Sequence, residues 1–280
     1  MGMTTRTPPD AVAIDAGGRR VLLKWHMLRR APHDPPYSPE NLKAGLALGA
    51  SLEIDTRLLS DGAWVCLHDD MLDGETSGTG PVAAIDTQAA QRLRIAGADY
   101  APPLLTNLTA ALSAASPDVC LQIDLKETAA GITDRAIAAF SSAVAPVARH
   151  CLLSGTDWQA VQRLGASVPN LRLGFDPYDI AEERTFVSAS DFEAFVADVW
   201  RIAPDADAFY LYHAFVTAAL AEGCNPIEKL KANRAMIDVW TLDPTTPDVI
   251  EILVACIAAG ADQITTNDPL GMARLWRARA

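Results

Sequence analysis

The 280-residue chain has no CxxC pair, no cluster of lysine and arginine, no apolar run of membrane-spanning length and no glycine-rich nucleotide loop behind its first strand-like segment. Each absence narrows what the chain can be. Its five cysteines, Cys66, Cys120, Cys151, Cys224 and Cys256, are scattered and odd in number, which fits buried thiols in a reducing compartment and not a disulfide framework. With 23 basic against 35 acidic residues and a net charge of −12, nucleic acid and anionic membrane are not expected partners, which leaves small-molecule chemistry. Residues 1–20 hold no apolar run long enough for a signal peptide and read as a flexible N-terminal segment, so the protein is expected to be soluble and cytoplasmic. The missing GxGxxG and Walker loops argue against a doubly wound nucleotide-binding sheet.

What is present is concentrated in residues 51–69, SLEIDTRLLSDGAWVCLHD. SLEIDTRLL alternates with a period of two, so as a strand it puts Glu53 and Asp55 on one face and Leu52 and Ile54 on the other. Two carboxylates sharing a cavity disfavour each other's ionisation unless a cation sits between them or water reaches both. A divalent metal answers the first case. Hard oxygen donors favour magnesium or calcium over zinc, with manganese as a further candidate. The plainer alternative is an amphipathic strand whose acids face water. Asp61-Gly62 makes a turn, WVCLH is a second short strand, and His68-Asp69 closes it.

Around this segment the chain repeats a strand-then-helix pattern eight times, with strands at 21–26, 51–56, 119–125, 150–154, 171–175, 208–212, 236–240 and 262–266. Helical stretches lie at 39–49, 128–146, 156–165, 191–201, 214–222 and 246–259. Eight such units in roughly 250 residues match an α/β fold of the (β/α)8 TIM-barrel type, here a single domain over 21–280. The connection 70–118 is long: Gly74, Gly78 and Gly80 mark a loop and 105–115 a helix, giving a loop-helix insertion after the second strand. In a barrel, active sites sit at the carboxyl ends of the strands. His26, Glu53, Asp55, Asp124, Lys126, His213 and Trp240 all fall there, although each alone also reads as a structural histidine, a surface ion pair or a core aromatic.

The motifs of this chain resemble those of the glycerophosphodiester phosphodiesterase family. They are Pro39-Glu40-Asn41, Glu53 with Asp55, Asp61-Gly62, His68-Asp69, Gly78 with Gly80, Asp124-Leu125-Lys126, Trp240-Thr241, Gly260-Ala261-Asp262 and Thr266-Asn267-Asp268-Pro269. The resemblance runs from about Val21 to the C-terminus and implies a metal-dependent barrel that cleaves a small phosphodiester. It implies His26 and His68 as the acid-base pair, Glu53, Asp55 and Asp124 as ligands of a divalent metal, Lys126 facing the phosphate and Trp240 beside the alcohol. In such enzymes a substrate hydroxyl attacks phosphorus and water then opens the cyclic phosphate.

Three departures bear on the substrate. The family's His-Arg-Gly is here His26-Met27-Leu28, which leaves Arg29 or Arg30 to take the arginine's place on the phosphate. The following segment is long and carries His33. Asp124 stands where glutamate is usual, and Gly74-Glu75-Thr76 where Arg-Thr-Thr is usual. A catalytically silent barrel that binds a phosphorylated ligand is therefore the competing reading, and a lyase that stops at the cyclic phosphate a variant of the first. Beneath the rim, positions two residues earlier on the strands hold Lys24, Gln122 and Asp238, where branched apolar residues are the rule in this fold. The expectation is a buried Lys24–Asp238 ion pair with Gln122 satisfying what remains.

Overall fold

The computed structural model describes residues 11–231 and 234–279. The chain runs through β1 (Ala13–Ala16), β2 (Arg19–Trp25), α1 (Pro39–Leu48), β3 (Ser51–Leu58), β4 (Trp64–Val65), α2 (Thr87–Ala90), α3 (Leu105–Ala111), β5 (Cys120–Leu125), α4 (Asp134–Val144) and β6 (Cys151–Gly155). It continues with α5 (Trp158–Gly165), β7 (Arg172–Phe175), α6 (Tyr178–Glu182), α7 (Ala189–Ile202), β8 (Ala208–Tyr212), α8 (His213–Ala221), α9 (Pro226–Leu230), β9 (Met236–Trp240), α10 (Val249–Ala259), β10 (Gln263–Thr266) and α11 (Pro269–Ala278). Eight parallel strands, β2, β3, β5, β6, β7, β8, β9 and β10, pair in that order, and the β10–β2 and β2–β3 ladders close the ring. The expected barrel is the observed one.

Local chemistry sets the element ends. Ser38 accepts a hydrogen bond from the Asn41 amide at 3.3 Å, Pro39 occupies the first turn of α1, and Gly49 ends it at φ 71°. The motif Pro39-Glu40-Asn41 is thus a helix start. The helix expected over 128–146 begins only at Asp134, because Thr133 caps it through the Ala136 amide after a 3-10 turn over Ala129–Gly131. α3 stops at Ala111 and tightens into 3-10 geometry over Leu112–Ala114, so the helix of the insertion is shorter than the expected 105–115. β4 pairs antiparallel with the end of β3, Val65 opposite Arg57, which turns the chain back toward the barrel rim.

The N-terminal expectation needs correction. Residues 13–16 are strand β1, paired antiparallel with β2 through the Gly17-Gly18 turn, with Ala13 opposite Leu22. Ala13 and Ile14 are buried, so the hairpin is anchored by the apolar surface that it covers. Residues 1–10 lie outside the described residues.

Inside the barrel the expected ion pair is present. Lys24 Nζ stands 3.1 Å from Asp238 Oδ2 and donates to Gln122 Oε1, and all three side chains are buried. The network extends in both directions. Asp238 also accepts from Gln263 Nε2 and Thr265 Oγ1, each at 2.6 Å, and Ser51 Oγ donates to Gln263 Oε1 at 2.7 Å. On the other side Gln122 Nε2 donates to Ser154 Oγ at 2.8 Å, and Ser154 Oγ to Asp124 Oδ1 at 2.6 Å. A polar ladder therefore climbs from the barrel centre to its carboxyl rim. Tyr210 closes the remaining space, its ring centroid 4.4 Å from Lys24 Nζ. Gly174 makes that room, since a Cβ there would stand 2.7 Å from the Tyr210 ring and 2.9 Å from Leu152.

Candidate active site

Adjacent strands deliver the acids. Asp55 on β3 is in register with Asp124 on β5, and Glu53 lies two residues earlier on the same face of β3. The Lys126 ammonium fills the space between the two aspartates, 3.1 Å from Asp55 Oδ1 and 2.7 Å from Asp124 Oδ2. Asp55 Oδ2 accepts from the buried Tyr37 hydroxyl at 2.8 Å, and Glu53 Oε2 accepts from the Met27 amide at 2.7 Å. Burial, reinforced by the negative charges of Asp55 and Asp124, pushes the Glu53 carboxyl well above the usual range. Asp124 goes the other way, because its ion pair with Lys126 and the Ser154 hydroxyl outweigh its burial and lower it.

His26 follows β2 at the rim. Its Nδ1 lies 2.9 Å from Asn267 Oδ1, and the Asn267 amide is oriented by Asp243, which accepts from Nδ2 at 2.8 Å and from the Asn267 backbone N–H at 2.7 Å. That orientation presents only an acceptor to His26, so Nδ1 carries the proton and Nε2 keeps its lone pair. Nε2 lies 4.0 Å from Glu53 Oε2. Burial lowers the His26 pKa below its ordinary 6.5, against the pull of Asp55, so the ring is a neutral base near neutral pH. His68 stands on the β3–β4 side with its Nδ1 held by Asp69 Oδ1 at 2.8 Å. Glu75 accepts from the His68 and Asp69 amides at 3.0 and 2.8 Å, which gives the departure at 74–76 a positioning role.

The turn after His26 is backbone-strained. Met27 and Leu28 adopt φ of 51° and 58°, and Tyr37, which ends the long segment, has φ 59°. Left-handed backbone at side-chain-bearing residues costs about 1–2 kcal/mol each and persists where neighbours hold it. Here the Met27 amide and carbonyl are fixed by Glu53 and the Tyr37 amide, and Leu28 and Tyr37 are buried.

One cavity of about 540 Å³ receives His26, Glu53, Asp55, His68, Asp124, Lys126 and Trp240 together. Arg29 and Arg30 are not among its lining residues. Arg29 donates from Nη1 to Asn267 Oδ1 at 3.0 Å and from Nε to the Asp34 carbonyl at 3.2 Å, so it shares the amide that orients His26. Arg30 lies over Trp25, 5.9 Å from the ring centroid. His33 is exposed and His213 begins α8; neither lines this cavity. Trp240 packs against Tyr178 and Tyr212 with centroids 5.1 and 5.2 Å away, forming an aromatic wall.

Several lining or supporting residues escaped the sequence reading. Arg57 points into the cavity, as its period-two relation to Asp55 would have indicated, and ties two loops together by donating to the His68 carbonyl at 3.0 Å and the Lys126 carbonyl at 2.7 Å. Asp176 follows β7 at the rim, and its carboxyl is raised by burial and then by Asp124. Tyr37 and Ser154 act through side chains already named, and local sequence carries no sign of those contacts; Asn267 belongs to the motif at 266–269, but its contact with His26 comes only from the fold.

The donor chemistry fits a hard divalent ion. Asp55 and Asp124 both act on Glu53, which burial first and then those two negative charges hold toward its protonated form. Among the described residues no three His, Cys, Asp or Glu side chains are already arranged as a metal cage. Lys126 occupies the gap between two of the acids, so an ion there has to compete with the ammonium.

Comparison with known proteins agrees with this geometry. Residues 38–270 match the model of the glycerophosphoryl diester phosphodiesterase family. A glycerophosphodiester phosphodiesterase of Caldanaerobacter subterraneus subsp. tengcongensis is 23% identical over 258 residues, 87% of this chain and 95% of the relative. A glycerophosphodiester phosphodiesterase structure from Parabacteroides distasonis ATCC 8503 superposes with a TM-score of 0.65 at 16% identity, covering 96% of this chain and 98% of the other. An Oleispira antarctica phosphodiesterase, solved with the product sn-glycerol-3-phosphate, has a TM-score of 0.65 at 18% identity over 91% and 96% of the two chains. With the family model spanning most of the barrel and its motif residues gathered in one cavity, this chain belongs to the glycerophosphoryl diester phosphodiesterase family of enzymes.

Proposed function

We propose that this enzyme hydrolyses a glycerophosphodiester or a related small phosphodiester with the help of a divalent cation, magnesium or calcium before manganese, held by Glu53, Asp55 and Asp124. The observation that carries the reading is the meeting of two histidines, three carboxylates and a lysine in one rim cavity. A silent binding barrel has no use for two histidines whose rings are each fixed through Nδ1 by a polar partner.

In this reading His26, unprotonated at Nε2, takes the proton of the attacking hydroxyl. His68, its ring oriented by Asp69, protonates the leaving alcohol. The hydroxyl belongs to the substrate, so the first product is a cyclic phosphate, and water opens it with the histidines exchanging roles. Lys126 supplies positive charge to the phosphoryl oxygens once it leaves the aspartates. A bound divalent ion would offset the carboxylates and draw charge from the phosphoryl oxygens. Phosphorus-31 NMR on a glycerophosphodiester with and without magnesium, calcium or manganese tests all of this. Monoester as the final product supports hydrolysis, persistent cyclic phosphate makes the enzyme a lyase, and no turnover with any of the three ions leaves the binding barrel.

Glu53 gives a result with a sign of its own. A carboxyl whose folded pKa lies above its unfolded one loses stability for the protein as pH rises between the two. Glu53→Gln keeps an acceptor for the Met27 amide and removes the charge. The metal-free variant should therefore melt higher than wild type above the unfolded glutamate range, while its affinity for the divalent ion falls roughly tenfold or more. Scanning calorimetry and calcium titration calorimetry measure the two; unchanged affinity would remove Glu53 from the ligand set.

Of the two displaced arginines we assign the phosphate-side role to Arg29, because it already reaches Asn267. Loss of one charge-assisted hydrogen bond is worth roughly 1.5–3 kcal/mol. Arg29→Ala should thus lower kcat/KM by about tenfold or more and Arg30→Ala by less than about threefold. Steady-state kinetics in which both variants match wild type would return both arginines to the solvated loop.

A further inference from the structure

Beside the catalytic cavity lies a second one of about 390 Å³ with a different chemistry. It opens between the segment after β7 and the helix after β8, and it shares Asp176, Tyr178 and Tyr210 with the catalytic cavity. Four phenylalanines line it, Phe192 and Phe195 almost fully buried and Phe186 and Phe215 partly exposed. Phe186 stacks on Phe192 at 4.7 Å and meets Phe195 and Phe215 at 5.5 and 5.3 Å. α8 contributes Phe215 to that cluster and, beside it, Ala214 and Ala218, four residues apart and exposed, whose small side chains leave the mouth open. Two of the three large apolar side chains that stand exposed among the described residues sit in this region. They are Tyr212, which lines the cavity, and Val187, which follows Phe186 and is 76% exposed.

Nothing in the proposed chemistry of a glycerol phosphodiester calls for an apolar chamber of this size next to the phosphorus site. Water gains little there, and a hydrocarbon gains in proportion to the area that it buries. The exposed Glu182 carboxylate at its edge opposes a free fatty-acid carboxylate. It does not oppose a neutral chain whose anionic end lies in the catalytic cavity. We propose that this second cavity is a subsite for a single alkyl or acyl chain carried on one alcohol of the phosphodiester, so that the preferred substrate is a single-chain diester and not its chain-free counterpart. The inference rests on the diester-hydrolase reading and deepens it.

Two substrates and one variant separate the ideas. The substrates are glycerophosphocholine and lauroyl lysophosphatidylcholine, the latter kept below its micelle-forming concentration, and the variant is Ala218→Trp, which fills the chamber from an exposed helix face. Burial of a few methylenes corresponds to about tenfold in binding. The wild-type enzyme should show kcat/KM at least about tenfold higher on the chain-bearing diester. Ala218→Trp should remove that advantage and leave glycerophosphocholine turnover within about twofold of wild type. Equal kcat/KM on both substrates, or a chain preference that Ala218→Trp leaves intact, overturns the subsite and leaves the hydrolase reading standing. If neither diester is turned over, binding decides the subsite. Monomeric dodecylphosphocholine should then bind at least about tenfold tighter than glycerophosphocholine in titration calorimetry, and Ala218→Trp should abolish the difference; equal binding overturns the proposal.

Discussion

Replacing Lys24 by methionine should destabilise the fold by about 3 kcal/mol or more, seen as a fall in Tm of roughly 6–12 °C. The side chains have similar length, so the loss is one of charge. Asp238 is completely buried and would retain only Gln263 and Thr265 as donors, a pair of neutral hydrogen bonds for a full negative charge. Gln122 would lose the donor to its Oε1 in the same stroke. Adding Asp238→Leu to Lys24→Met removes the stranded anion and should recover at least half of the loss, the rest reflecting Gln263, Thr265 and Gln122 left short of partners. Denaturant melts of the wild type, both single variants and the double variant give the coupling directly. Strictly additive losses would mean that the 3.1 Å contact contributes nothing beyond its two parts.

That ion pair could be expected from sequence because strand alternation is rigid. Once His26, Asp124 and Trp240 are placed on a rim, the residues two earlier have one direction in which to point, and a charged pair there must meet in a closed barrel. The same rule reaches Arg57 from Asp55. It stops where the backbone leaves the strand. The strained turn at Met27 and Leu28 follows no period, and the hydroxyl of Tyr37 arrives at Asp55 from eighteen residues upstream by way of an irregular segment. Lys126 was legible as a neighbour of Asp124, but its seat between two strands depends on the β3–β5 register, which brings Asp55 level with Asp124. The N-terminal hairpin was missed for a different reason. Its strand is four residues long and its turn is two glycines, a signal no stronger than that of a mobile tail.

The polar ladder also ties stability to the site. Lys24 donates both to Asp238 and to Gln122, Gln122 to Ser154 and Ser154 to Asp124, so the carboxylate that faces Lys126 is positioned from the barrel centre. Such a network is stabilising only while every member is satisfied. It therefore limits which substitutions the interior accepts, and it accounts for polar residues at depths where branched aliphatics usually sit.

The largest kinetic effects are expected at two of the five histidines. His26→Ala and His68→Ala should each reduce kcat by about a hundredfold or more, the usual contribution of a positioned acid or base. His33→Ala and His213→Ala should stay within about threefold of wild type, since neither side chain lines the cavity. The pH profile distinguishes the two active histidines. Burial holds the His26 pKa below 6.5, so a base in this position places the acid limb of the rate profile below the ordinary histidine range, with activity rising as the ring deprotonates. Asn267→Ala leaves Nδ1 without the acceptor that fixes the tautomer, and it should lower kcat with little change in KM and shift that limb further toward acid, because the Asn267 bond raises the pKa. A His26→Ala enzyme whose residual activity keeps the same acid limb would assign the base to another group. A loss at His33→Ala equal to that at His26→Ala would put the wrong histidine at the end of β2.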